Sequence, residues 1–288
     1  MANHHFGKFA DVWKHLCLTE VLARQRPARY GETHAGSAAY PMVDDPERRF
    51  GVLRFRETAE REPALAGSSY RALVGRFMDE QDAYPGSALL AMAELGNSAE
   101  YLYCDLDLLS TADLRSWPSK LGITGCTVAE EDGMTAVARW VHSSDEAAMP
   151  PASTVVHIDP FDPHAGIDGG PSALELAADL ALQGVGLIYW YGYDRPDRAA
   201  WAYRHLSQAT ARPLWCGDAM IVNHDGMERA GDLGVATTPG TGCGIVLANV
   251  SDETTDACER LGDSLARAYS ESTLPDGTLG RIRLTYYS

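Results

Sequence analysis

Between residues 99 and 209 the sequence alternates short apolar runs with amphipathic stretches at nearly constant spacing. The strand-like runs are AEYLYCDLD, GCTVAEED, STVVHIDPF and VGLIYWYGY, and helical patterns follow them at 110–120, 133–142, 171–183 and 194–209. Strands joined through helices pair in parallel, and the crossovers place helices on both faces of the sheet. The pattern therefore predicts an α/β fold with a doubly wound, mainly parallel sheet. The tail differs: PLWCGDAMIV, GCGIVLANV, a helix at about 253–270 and the closing run GRIRLTYYS predict an antiparallel edge.

The N-terminal part precedes this alternation. From Phe9 to about Arg26, Phe9, Val12, Trp13, Leu16, Val21 and Leu22 recur every three or four residues, an amphipathic helix that Pro27 ends. A short strand then leads into Thr33-His34-Ala35-Gly36. Residues 41–84 are polar and rich in Arg and Glu, with one helical stretch, SYRALVGRFMDE, and no strong strand. They read as a helical insertion on a single domain spanning 1–288. Tyr84-Pro85-Gly86-Ser87 introduces the helix SALLAMAELG, with Ser87 placed to cap it.

The chain has 288 residues, 45% of them hydrophobic, enough for one large core. The six cysteines form no C-x-x-C pair, which predicts reduced, mostly buried thiols rather than a disulfide frame or zinc ribbon. The sequence lacks an eighteen-residue apolar run, and its first five residues lack the order of a signal peptide, so the expectation is a cytoplasmic protein with no membrane partner. Lys plus Arg number 24 against 40 Asp plus Glu, a formal charge of −16. Affinity for nucleic acid comes largely from neutralised phosphates, so this balance argues against such a partner.

In an open α/β sheet, ligands bind beyond the carboxyl ends of the strands, near the point where strand order reverses. The residues just after the predicted strands are His34-Ala35-Gly36, Asp105, Asp132-Gly133, Asp159-Pro160-Phe161-Asp162 and Tyr191-Gly192-Tyr193. Each has a plain alternative: His15 as a bonded core histidine, Ser87 as a cap only, Asp132-Gly133 as a turn, Asp105 as a strand end facing water. His157 shares a strand face with Asp159, where it can position or deprotonate a nearby group or be a satisfied core residue. Asp159, Asp162, His164 and Asp168 read as a solvated loop more readily than as a metal site, so no metal is expected. Nucleophile-elbow, P-loop and zinc-protease signatures are absent.

Four ordered motifs carry a resemblance: Phe9-Ala10-Asp11-Val12-Trp13-Lys14-His15, Glu32-Thr33-His34-Ala35-Gly36-Ser37-Ala38, Tyr84-Pro85-Gly86-Ser87 and Asp159-Pro160-Phe161. The chain resembles a divergent class I S-adenosylmethionine-dependent methyltransferase, with a Rossmann-like fold, of the RlmJ type that methylates an adenine amine in 23S ribosomal RNA. The resemblance implies S-adenosyl-L-methionine as cofactor, with His15, His34, Gly36, Ser87, Asp105, Asp132 and Gly133 around it. It implies Asp159 and the Pro160 carbonyl as the clamp on the target amine. Three departures bear on the chemistry. The family's D-P-P-[YF] loop reads Asp159-Pro160-Phe161-Asp162 here, so the stacking ring is displaced to Phe161 and Asp162 adds an anion suited to a cationic amine. Ala38 replaces a loop glycine, narrowing the cofactor site. The family's N-terminal gating tyrosine has no equivalent among Met1 to His5.

The resulting expectation is methyl transfer to an amine nitrogen of a small-molecule or carrier-bound substrate in biosynthesis, with Phe161, Asp162, His157 and Tyr191 lining the substrate pocket. The alternatives are cofactor-independent ring closure by an amine; 23S rRNA adenine-N6 methylation, using Arg48, Arg49, Arg54, Arg56, Arg71 and Arg76 as a basic stripe; and a non-catalytic subunit that stabilises a partner chain.

Overall fold

The computed structural model describes residues 6–142, 150–164, 166–167, 169–229 and 241–288. In chain order the strands are β1 (Arg29–Glu32), β2 (Ala39–Pro41), β3 (Ala83–Pro85), β4 (Glu100–Cys104), β5 (Cys126–Ala129), β6 (Thr154–Ile158), β7 (Gly186–Tyr193), β8 (Leu214–Asn223), β9 (Gly242–Ala248), β10 (Ser272–Thr273) and β11 (Leu279–Tyr287). Nine of them form one sheet in the order β10-β11-β8-β9-β7-β6-β1-β4-β5. From β7 to β5 all neighbours are parallel, whereas β9, β8, β11 and β10 add antiparallel pairs. The alternation and the antiparallel tail are thus realised as expected.

Sheet order reverses between β1 and β6: the chain runs outward from β1 to β4 and β5, then returns to lay β6 on the other side of β1. The carboxyl ends of β1 and β6 diverge there, leaving the crevice in which such sheets bind ligands. His34 and Asp159 follow those two ends.

Helices cover both faces. Phe9–Gln25, Ser87–Leu95 and Asp252–Ala268 pack on one side, and Gly133–His142, Ala173–Gln183 and Trp201–Ala209 on the other. The helix Phe9–Gln25 starts where the Lys8 backbone N–H donates to Asp11 (3.3 Å) and stops at Arg26, which is left-handed (φ 42°). It is fixed to the sheet by Trp13, whose indole N–H donates to the Gly217 carbonyl (3.0 Å).

The segment 41–84 contains the helix Ser69–Gln81 and several short turns of helix. Its flanks are the antiparallel pair β2–β3, in which Tyr40 faces Tyr84. The sequence pattern missed this pair because three residues, one of them proline in each strand, show no period. Of the six free cysteines five are buried and Cys126 is half-buried. Among the described residues no helix is long and apolar enough to cross a membrane.

The loop after β1 lies against the start of helix Gly133–His142. A β-carbon on Gly133 would stand 1.9 Å from the Thr33 carbonyl oxygen, so only glycine fits. Gly133→Ala is expected to destabilise the protein by about 1–3 kcal/mol, the usual range for overpacking against rigid atoms. Urea unfolding would register this as a lower midpoint at unchanged slope.

Candidate active site

The site begins on the N-terminal helix. Asp11, Lys14 and His15 lie on one face because residues three and four apart are neighbours on a helix. That face points at the end of β6. The Lys14 ammonium reaches Asp159 at 2.6 Å and Asp11 at 3.1 Å, and only 9% of its side chain is exposed. Burial works to lower the Lys14 pKa, but the two carboxylates more than offset it and the pKa is raised well above its ordinary value. Burial likewise pushes the Asp159 carboxyl up. The Lys14 ammonium, then His157 and His34, turn the balance, and Asp159 sits below the usual carboxylate value. Asp159 is thus ionised and already holds an ammonium group.

His34 lies among carboxylates. Burial lowers its pKa, against the pull of Asp159, Asp105 and Asp132, so its ring is neutral near pH 7; its Nδ1 is 2.8 Å from the Thr33 hydroxyl. His15 is driven further down, by burial first and then by Lys14 and His157. Its Nδ1 pairs with the Tyr84 hydroxyl at 2.8 Å, while its buried Nε2 has no hydrogen-bond partner among the described residues. His157, opposite Glu32 in the β1–β6 register, is also buried, with neither ring nitrogen hydrogen-bonded among the described residues and its Nδ1 3.7 Å from Glu32. Glu32 accepts from the Tyr30 hydroxyl (2.6 Å) and the Ser87 hydroxyl (2.7 Å).

Asp11, Lys14, His15, His34, Tyr40 and Asp159 enclose a cavity of about 50 Å³, with Gly36 and Ser87 at its wall. The Tyr40 and Phe6 rings stack at 4.8 Å and occupy one side of it. A site for a drug-sized or cofactor-sized molecule has roughly 300 Å³ or more, so a nucleoside-bearing cofactor does not fit this cavity with that pair in place. The unpartnered His15 Nε2 and the glycine at 36 (φ +60°) fit a ligand; the volume does not.

Several expected cofactor contacts are engaged elsewhere. Asp105 accepts the backbone N–H groups of Gly36 (2.8 Å) and Asp107 (2.8 Å), tying the β1 and β4 loops together. Asp132 accepts from the backbone N–H (2.9 Å) and hydroxyl (2.6 Å) of Thr135 at the start of the next helix. Ser87 is not the cap of its helix: Gly86 holds that position in extended conformation and Ser87 turns to Glu32.

On the substrate side, Pro160 is buried and Phe161 is 76% exposed. Asp162 does not stand bare beside the amine site; it is exposed and accepts the His164 backbone N–H at 2.9 Å. The Tyr191 hydroxyl donates to the buried Asp218 at 2.6 Å, while Tyr191 also lines a small recess beside Pro160 and Phe161. Asp168 lies outside the described residues, as does the segment from Met1 to His5, and no cluster of potential metal ligands occurs among the described residues. The arginines of the insertion are largely spoken for: Arg48 pairs with Asp45, Arg49 with Asp44, Arg56 with Asp79 and Arg71 with Glu60, while Arg54 donates to the Ala268 carbonyl. The residues that sequence reasoning passed over are Asp11, Lys14, Glu32 and Tyr40. Asp11, Lys14 and Glu32 stand in the ordered motifs beside residues read as site positions, which was their signal; Tyr40 had none.

No family model matches the chain, and no curated protein does. The structure is similar to a Legionella pneumophila str. Philadelphia 1 protein described by the family model DUF519, at TM-score 0.70 and 19% identity over 99% of this chain and 98% of the other. Weaker likenesses include a SAM-dependent methyltransferase from Agrobacterium tumefaciens (TM-score 0.39, 13% identity, 82% of this chain and 60% of that one) and an rRNA methylase from Streptococcus thermophilus (0.35, 12%, 83% and 95%). The fold is α/β, with a mainly parallel sheet wound on both faces about the switch point between β1 and β6. The mixed sheet, its switch point and the helices on both faces carry that statement, and the Legionella protein shares the architecture from end to end.

Lys14→Met removes the cation from a half-buried carboxylate and is expected to cost on the order of 1–3 kcal/mol at neutral pH. In the native protein the Asp159 pKa lies below its unfolded value, so its contribution is complete above about pH 4 and fades only as pH falls further. Without Lys14, burial should lift that pKa above the unfolded value. The deficit of the variant should then grow as pH rises from 4 to 7, and equal deficits at both ends would contradict this electrostatic account.

Proposed function

We propose that this chain is an enzyme that transfers a methyl group from S-adenosyl-L-methionine to the nitrogen of an amine carried by a small molecule or a carrier-bound substrate. The observation that supports it best is the Asp159 carboxylate, kept ionised at the switch point and already gripping a primary ammonium, that of Lys14. A substrate amine would take the place of Lys14, leaving that ammonium to Asp11, 3.1 Å away. Asp159 would then accept one N–H of the amine and the Pro160 carbonyl another, directing the nitrogen lone pair. The cofactor, when bound, supplies the electrophilic methyl carbon; His15, His34 and Gly36 would hold it once Tyr40 and Phe6 move aside.

The cavity volume favours one second reading. At about 50 Å³, the same amine grip suits a cofactor-independent displacement in which a substrate amine closes a ring by expelling a leaving group.

Calorimetric titration with S-adenosylhomocysteine separates the two. Micromolar binding supports methyl transfer, with Tyr40→Ala binding more tightly because the withdrawal of its ring no longer draws on the binding energy. Absence of heat from both proteins, folds intact, would favour ring closure. Under either chemistry Asp159→Asn should lower turnover by about 10²-fold or more with modest loss of stability, since Lys14 keeps Asp11; substantial unfolding would make Asp159 a structural residue.

A further inference from the structure

On the far side of the Asp159-Pro160-Phe161 turn from the cofactor cavity lies a second space. A recess of about 60 Å³ is lined by Pro160, Phe161, Tyr189 and Trp201, and it shares Gly192 and Trp201 with an open basin of about 350 Å³. Its deep wall holds an unusual group: Tyr189 is 0% exposed, and its hydroxyl has no hydrogen-bond partner among the described residues. A buried, unpaired hydroxyl costs stability unless something from outside completes it. Phe161, at 76% exposure, is an aromatic ring left in water at the lip of the same recess.

The basin differs in chemistry. His164, Arg195, Arg198 and Asp194 line it, and the helix Trp201–Ala209 begins at its edge, adding the positive end of a helix dipole. Arg195 is paired with Asp197 at 3.1 Å. The Arg198 side chain is exposed and has no ion pair or hydrogen bond among the described residues, which is notable in a chain of net charge −16. An unpaired guanidinium beside aromatic walls is suited to a planar anion such as a carboxylate.

We propose that recess and basin together bind a bifunctional substrate: an amine at the inner end, an apolar and preferably flat body between Phe161 and Trp201, and a carboxylate at the outer end on Arg198. This rests on the reading of Asp159 as an amine site and narrows it to amines that carry an anion at their far end. The inner end fits an amine because the recess abuts Pro160 and Tyr189, and the Tyr189 hydroxyl, as the unpaired group, can accept an N–H.

Three probes of matched shape test this by calorimetry on the full chain without cofactor: 4-(aminomethyl)benzoate, benzylamine and benzoate. The first should bind about tenfold more tightly than either of the others, the usual worth of one charge-assisted contact. Arg198→Gln should reduce it to the level of benzylamine and leave benzylamine itself unchanged. Equal binding of the first two probes, an unaltered ratio in Arg198→Gln, or no binding of any probe overturns the inference. Asp159→Asn tests the underlying reading separately: it should weaken both amines and spare benzoate. If it spares the amines while Arg198→Gln still removes the tenfold preference, the anion site stands and the amine reading of Asp159 falls.

Discussion

The ion pair between Lys14 and Asp159 joins the two halves of this molecule. Lys14 belongs to the first helix and Asp159 to the exit of β6, and no covalent proximity brings them together. Its energetic worth comes from burial: two charges with little solvent around them attract strongly, but each has lost hydration, so the pair is stable only because Asp11 adds a second carboxylate and the charges do not stand alone. The consequences spread outward. Burial, and after it the fixed ammonium, keeps the neighbouring His15 neutral, a fixed carboxylate sits opposite His34, and the space between helix and sheet is a small polar cavity.

Beneath that pair runs a layer of polar groups in the centre of an otherwise apolar sheet. Tyr30, Glu32 and His157 lie on β1 and β6, whose residues are all buried, and Ser87 and His15 adjoin them from the covering helices. Central parallel strands usually present uninterrupted apolar residues there. Local rules and observed residues disagree here, and such disagreements concentrate where a chain has kept chemistry at the expense of stability. Tyr30 and Ser87 satisfy Glu32, yet the nitrogens of His157 remain unbonded. The layer is therefore only partly explained by packing.

Much of the architecture was legible in the residues alone. Four strand-and-helix units are periodic enough to be read directly, and the antiparallel tail shows where PLWCGDAMIV and GCGIVLANV follow each other with no helical pattern between them. What escaped did so for identifiable reasons. The β2–β3 pair is too short to have a period. Ser87 reads as a cap until Gly86, free of a side chain and close to the Ser37 carbonyl, is seen to hold that position. Asp105 and Asp132 follow strands as a ligand contact would, but each carboxylate closes a loop by accepting backbone N–H groups, a role that a strand-end aspartate has equally often. The partner of Asp159 could not be read at all, because Lys14 is 145 residues away and nothing in spacing encodes a contact of that range.

The turn that follows β6 separates two spaces. Asp159 is the first residue beyond the strand and faces the helix and the β1 loop, while Pro160 and Phe161 turn toward β7 and Trp201. Proline fixes the backbone at this turn, so the carboxylate and the exposed ring are held on opposite sides of it with little freedom to exchange. One side is small, charged and closed by Tyr40 and Phe6; the other is aromatic and open. A sheet whose order reverses at β1 and β6 opens such spaces beside the strand ends through topology, before any side chain is chosen.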